Sequence, residues 1–470
     1  MTKDYLYRQV ADELAALINR GVLKPGDKLP SVRMLCKRYG IGMNTAKRIF
    51  VQLSDRALVY SKPQSGYFVS QPAYVRQPLA APSRPHPEPA SLEPKELITK
   101  VYSHMGNEKL TLFSINVPSA GLLPLAKLKK ELIQATQQLG SGGAAYESLQ
   151  GNVRLRRMVA QRSLAWGGNL HEDELVTTNG AMNALSFCLM ALSRPGQTIA
   201  IESPCYPGIL QLALSLGLRV LELPTHPITG LDMEALRQVL PKIDLCLVVP
   251  NFNTPLGSLM PDVHKKEMVG LFAARGVPII EDDIYGDLHF GLQRPVCCKT
   301  FDTTGNVLWC GSLSKTLAPG YRVGWVAPGR YKEQILKLKL VHALSSPPLV
   351  QEAAGTFMST GKYDKHLRQL RRSLEENCAR YMGTVADYFP EGTGTSRPQG
   401  GLSLWIELAD TTNTVKLYEL ALKQGICIAP GRMFTLQEQF NNCLRLSFGL
   451  PWTEELRQKL KQLGNFARAV

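Results

Sequence analysis

No run in the 470 residues is apolar for long enough to cross a bilayer: the longest, such as 245–250 and 277–280, are strand-length and bounded by polar or turn residues. The opening Met1-Thr2-Lys3-Asp4-Tyr5 is polar and leads into an amphipathic pattern with no apolar signal core, which predicts a cytoplasmic protein that spans no membrane. Cysteine pairs are missing too. The ten cysteines run from Cys36 to Cys443 without one CxxC, and Cys188, Cys246 and Cys427 sit in apolar runs where a thiol behaves as a small hydrophobe. A disulfide framework or a zinc site is therefore not expected, and the adjacent Cys297-Cys298 reads as two reduced thiols, with a redox-sensing pair as the alternative. Internal repeats are absent. Acid is scarce, with 39 Asp and Glu against 54 Lys and Arg.

That imbalance is uneven along the chain. Residues 1–76 hold 13 Lys and Arg against 5 Asp and Glu, a net +8 out of +15 for the whole sequence. A basic module of this kind suits a nucleic-acid partner, although a solvated basic surface produces the same count. Seven prolines between Gln71 and Pro94 leave no helical or strand period, so 71–96 is expected to be a semi-extended linker between a small unit, 1–70, and a large one, 97–470.

In the small unit Leu6, Val10, Leu14, Leu17 and Ile18 recur at helical spacing, and Gly21 follows as a stop. Ser31 is placed to cap a short helix closed by Gly40, and a third helix is expected from about Asn44 to Ser54 with Ile49 and Leu53 inward. Residues 58–60 and 67–69 alternate like two strands around Gly66. Three short helices and a hairpin make a winged helix-turn-helix. The tract KPGDKLPSVRMLCKRYGIGMNTAKRIFVQL resembles the DNA-binding domain of the GntR superfamily. The resemblance implies that Ser31 and Arg33 contact phosphates, that the helix carrying Asn44, Thr45, Lys47 and Arg48 enters the major groove, and that a wing around Gly66 touches the backbone or minor groove of a double-stranded operator. Gly42-Met43 departs from the Ser-Arg common in that family, so one specificity contact is missing.

The large unit alternates helical patterns with short apolar strands, which predicts an open, mainly parallel α/β sheet. Four strand candidates, 198–201, 245–249, 277–280 and 307–310, each run straight into a polar tail: ESPCYPG, PNFNTPLG, EDDIYG and GSLSKT. Ligands bind beyond the carboxyl ends of such strands, so the four tails are expected to meet in one site. Lys315 lies in one tail, between Ser314 and Thr316 and seven residues before Arg322. A P-loop would need glycine directly before the lysine; Ser314 stands there.

With its neighbours this segment resembles fold-type I pyridoxal-phosphate enzymes of the aminotransferase class, over roughly 97–449. The resemblance implies that Lys315 holds the cofactor aldehyde, and that Ser312, Ser314 and Arg322 hold its phosphate with the backbone amides of Ala181 and Met182 at a helix start. It implies that Asp282 and Tyr285, in E-D-D-I-Y, meet the ring nitrogen and ring oxygen, and that Tyr206 stacks on the ring. Where the family has an asparagine on the ring oxygen this chain has Thr254, so the contact is either lost or moved to Asn253. Arg445 matches the arginine that clamps a carboxylate, implying an amino-acid-like effector or substrate. Tyr146 matches a residue that reaches the neighbouring subunit's phosphate, implying a homodimer.

A GntR-type head, a proline-rich linker and an aminotransferase-like body occur in that order in the MocR subfamily of regulators, which the chain resembles over nearly its whole length. The resemblance implies a transcription regulator that binds pyridoxal 5'-phosphate (PLP) and senses it, or an amino compound reacting with it. The rival readings are an active aminotransferase carrying a vestigial head and a constitutive DNA-binding protein whose cofactor is structural.

Overall fold

A computed structural model describes residues 3–19, 22–55, 58–62, 65–70, 77–88 and 95–470. The first helix, Lys3–Asn19, buries Val10, Ala11, Leu14 and Ala15, a stripe at spacings of three and four. Leu17, expected inward, is half-exposed because the alanines complete the stripe one position earlier; the Leu6 side chain and Gly21 lie outside the described residues. Ser31 caps the helix Val32–Tyr39, its Oγ accepting from the Met34 amide at 3.2 Å, and Gly40 ends it in the left-handed region at φ 63°. The third helix, Met43–Asp55, buries Ala46, Ile49, Phe50 and Leu53. Phe50 stacks on Tyr67 with ring centres 4.0 Å apart, which ties this helix to the hairpin formed by Val59–Lys62 and Gly66–Val69. Gly66 opens the second strand opposite Lys62 at φ 103°, a conformation that side chains disfavour.

In the body eight strands form one sheet in the order Val176–Thr178, Gly324–Ala327, Val307–Ser312, Ile279–Asp282, Leu245–Val248, Thr198–Ser203, Arg219–His226 and Gly230–Leu231. The four strands anticipated from the sequence are consecutive neighbours and run parallel. Gly324–Ala327 runs against them, as does the short edge strand Gly230–Leu231. Interior strands such as Thr198–Ser203 and Val307–Ser312 are buried along their whole length, which is why they read as apolar runs and not as alternations. A second sheet of four antiparallel strands, in the order Gly394–Thr395, Ser403–Glu407, Cys443–Ser447 and Ala429–Pro430, follows the 27-residue helix Lys362–Tyr388 and carries Arg445. Among the described residues no helix is long and apolar enough to cross a membrane.

The proline-rich stretch is not a free spacer over its described part. Residues 77–88 lie along the body: Leu79 bridges Thr395 in parallel, the Thr395 amide donates to the Pro78 carbonyl at 3.1 Å, and the Ala80 amide donates to the Thr395 carbonyl at 3.2 Å. Ser83 donates to the Ser203 carbonyl at 2.5 Å and accepts from the Thr225 amide, while the His86 backbone and Gln437 side chain exchange two bonds of 2.6 and 3.1 Å. Composition misleads here because proline lacks only the donor. Its carbonyl still serves a sheet edge.

Candidate functional site

The four polar tails converge on a cavity of about 1100 Å³, to which they contribute Tyr206, Thr254, Asp282, Tyr285, Ser314 and Lys315. Strand alternation sorts the two adjacent aspartates. Asp282 faces the cavity. Asp283 turns to the other side, where it accepts from Trp309 Nε1 at 3.0 Å and Asn251 Nδ2 at 2.9 Å and pairs with Arg294.

Asp282 is buried, and its Oδ1 has no hydrogen-bond partner among the described residues. Desolvation, reinforced by the nearby Asp283 charge, pushes its carboxyl up to about 7. Lys315 is displaced the opposite way, down to about 8, first by burial and then by the Arg445 charge. Its Nζ donates to the Asn116 carbonyl at 2.8 Å and lies 5.9 Å from the centre of the Tyr285 ring. Burial holds the Tyr285 hydroxyl up at about 12, so it keeps its proton at neutral pH and can donate. Tyr206 stands on the same wall near Tyr102, and burial pushes both phenols up.

At the far end the helix Ala181–Leu192 begins after Gly180, which has φ 87° and offers no side chain to cap the helix. Its first amides therefore stay available to an anion, and Ala181 and Met182 line the cavity. A methyl group on Gly180 would meet the Arg322 guanidinium at 2.5 Å, and one on Gly324 would meet the Gly180 backbone at 2.6 Å. Both glycines let the helix start approach Arg322, whose Nη1 lies 3.3 Å from Ser314 Oγ. Ser312 belongs behind this cradle. Its Oγ donates to the Val323 carbonyl at 2.7 Å and accepts from the Ser314 amide at 3.0 Å, so it orients Ser314 and does not line the cavity.

Two further expectations meet a different geometry. Asn253 does not line the cavity; its amide lies against the buried Glu202 carboxyl, and Thr254 takes the cavity position. Arg445 is fully buried, with Nη1 and Nη2 on the Phe113 and Ser114 carbonyls at 3.3 and 2.8 Å and Nε unpartnered among the described residues. Tyr146, expected at a neighbouring subunit's phosphate, is 82% exposed and does not line the cavity of its own chain. Sequence reading also missed Asn116, whose Nδ2 donates to Tyr285 OH at 3.0 Å and Thr254 Oγ1 at 3.1 Å, and Tyr102; neither sits in a local motif.

In the small domain Ser31, Arg33, Asn44 and Lys47 are exposed and Thr45 is half-buried. Asn44, Lys47 and Val51 share one outward face of their helix. Arg48 is exposed but its guanidinium leans toward the first helix, 5.9 Å from the Tyr7 ring centre. Ser31 spends its oxygen on the helix cap and retains its proton for an outside acceptor. Lys28 and Lys62, both unremarked in the sequence, flank Phe68 on the hairpin at 6.0 and 5.0 Å from its ring centre.

Residues that leave a buried carboxylate oxygen without a donor, a lysine held near neutrality and a bare helix start at the other end of one cavity fit PLP. Comparison with known proteins points the same way. Residues 108–463 match the family described as aminotransferase class I and II, and residues 6–69 match bacterial regulatory proteins of the gntR family. The chain is 35% identical to the HTH-type transcriptional regulator YjiR of Escherichia coli over 460 residues, covering 97% of this chain and 98% of that protein. It is 25% identical to the HTH-type transcriptional regulator NorG of Staphylococcus aureus, covering 94% and 100%. The body resembles LysN, an alpha-aminoadipate aminotransferase of Thermus thermophilus solved with N-(5'-phosphopyridoxyl)-L-leucine, at a TM-score of 0.72 and 26% identity over 80% of this chain and 94% of that one. An archaeal alanine:glyoxylate aminotransferase shares the fold, with a TM-score of 0.75 and 22% identity over 80% and 95%.

Proposed function

The chain belongs to the MocR-type regulators, in which a gntR-family head is joined to a class I and II aminotransferase domain, and we propose that it is a PLP-dependent DNA-binding transcription regulator that responds to PLP or to an amino compound captured there. The observation that carries this reading is the pairing in one cavity of Lys315, held near neutrality, with an Asp282 oxygen that has no partner among the described residues. PLP bound there supplies an aldehyde for amines and a cationic ring that withdraws electrons. Lys315 presents the amine, Asp282 holds the proton of the ring nitrogen, Tyr285 donates to the ring oxygen and Tyr206 covers the ring face. Ser314, Arg322 and the Ala181 and Met182 amides hold the phosphate, with Ser312 fixing Ser314 from behind.

Arg445 takes the carboxylate of an amino-acid-like effector. A guanidinium carries five N–H groups and, among the described residues, two are on carbonyls, so three remain. Two copies form the working unit: Tyr146 is exposed where it can reach a second chain, and Leu125, Ile133 and Val341 are exposed apolar side chains that a partner would cover. Arg33, Asn44, Thr45, Lys47 and Arg48 meet double-stranded operator DNA, with the wing at Gly66, Lys28 and Lys62 on the backbone.

Binding to DNA upstream of the protein's own gene, measured with and without PLP and with and without an amino acid panel, tests the proposal. A change in affinity or footprint supports it. A fast steady-state transamination together with DNA affinity indifferent to every amine would favour the aminotransferase reading instead.

A further inference from the structure

We infer that Asn116 takes over the role of the asparagine missing at position 254, holding the Tyr285 hydroxyl as a donor toward the ring oxygen of PLP. The inference rests on the PLP reading above and adds a positioning residue to it.

The hydroxyl of Thr254 is short and already engaged, 3.2 Å from Ser403 Oγ and 3.1 Å from Asn116 Nδ2. The same Nδ2 stands 3.0 Å from Tyr285 OH. A primary amide has two hydrogens on that nitrogen, one for each oxygen. A phenol has a single proton, and an oxygen that already accepts from the amide must send that proton elsewhere. Tyr285 and Lys315 line the same cavity, which is the direction left for it. With the amide reversed, Asn116 Oδ1 would absorb the Tyr285 proton and leave a buried NH2 unpaired. The observed arrangement leaves only a carbonyl oxygen without a partner among the described residues, the less costly orphan.

Position is fixed from a second side. The Asn116 carbonyl accepts from Lys315 Nζ at 2.8 Å, so one residue touches both the amine and the phenol that flank the cofactor. Its loop is anchored further by the Phe113 and Ser114 carbonyls on Arg445. Burial keeps Tyr285 protonated, as a donor must be.

The test compares full-length PLP-loaded wild type, Asn116→Leu, Asn116→Ala and the double variant Asn116→Ala with Thr254→Asn. Leucine keeps the volume and removes the donor. A ring oxygen that loses a well-aimed donor holds its shared proton more tightly. The pH midpoint of the visible absorption band should therefore rise by about one unit in both single variants, and PLP retention in dialysis should weaken about tenfold. Restoring the amide from position 254 should return the midpoint to the wild-type value. A wild-type midpoint in Asn116→Leu overturns the inference, as does a double variant that melts like wild type yet keeps the shifted midpoint. If the double variant melts early, Asn116→Leu alone decides. If wild type takes up no PLP, it is the PLP reading that falls; if it takes up PLP and both single variants match it, only the role of Asn116 falls.

Discussion

The head and the body use charge in opposite ways. In the head Arg33, Lys47, Lys28 and Lys62 stand in solvent around a core of buried apolar side chains. In the body Asp282 and Arg445 are buried and Lys315 is half-buried, and each is displaced from its ordinary protonation range chiefly by desolvation. Exposed charge acts at a distance and is screened by salt, whereas buried charge is hardly screened and answers to proton concentration. Salt should therefore govern what the head does, and pH what the body does.

The sharpest break between the two would come from Lys315→Ala. The body should lose the pH-dependent visible band of PLP joined to the lysine while melting as before, because Ser314, Arg322 and the helix start still hold the phosphate without it, and the salt dependence of DNA binding should be unchanged. A retained band would remove Lys315 from its role.

Next in size is the pH dependence of PLP capture by the wild-type protein. A lysine attacks an aldehyde only as the neutral amine, and the Lys315 amine is held at about 8. Below that value the capture rate should climb about tenfold per pH unit, levelling off above it. Stopped-flow absorbance between pH 6 and 9.5 reads this directly, and a profile still rising at pH 9.5 would mean that burial does not displace the lysine.

A smaller effect is expected in the head. Arg33→Ala should weaken binding to specific and random DNA alike and reduce the slope of log K against log salt by about 0.9, the share of one phosphate. Asn44→Ala should instead flatten the preference for the operator while leaving the slope in place. Competition titrations at several salt concentrations separate the two outcomes.

The smallest effect concerns the proline-rich stretch, residues 77–88. Ser83→Ala removes one side-chain donor to Ser203, three residues before Tyr206, and should cost the body about 1 kcal/mol in urea unfolding with no change in the salt slope. A salt slope that moved would show that residues 77–88 tie the two halves together more closely than their hydrogen bonds suggest.

Legibility in the sequence followed locality. The capped helix at Ser31, the four parallel strands and the cluster of Lys315, Asp282, Tyr285 and Arg322 were readable because each depends on residues within a few positions of one another. Asn116 was not readable: its partners Thr254, Tyr285 and Lys315 lie 138, 169 and 199 residues away, and only the fold brings them together. The same holds for Ser83, whose carbonyl partner is 120 residues distant. Ser312 and Asn253 were placed at the cofactor by motif, but the direction of a side chain at a strand end is set by alternation and by packing, which turned one behind Ser314 and the other toward Glu202.

If a solvated head and a buried-charge body form one regulator, their ligands must be linked. Titrating the PLP-loaded protein with an amino-acid effector, followed by the visible spectrum with and without operator DNA, measures that linkage. The shift in effector affinity caused by DNA must equal the shift in DNA affinity caused by the effector, typically about 5–150-fold. Equal and measurable factors are the expected result. Effector curves that superimpose with and without operator, for every amino acid that changes the spectrum, would contradict it.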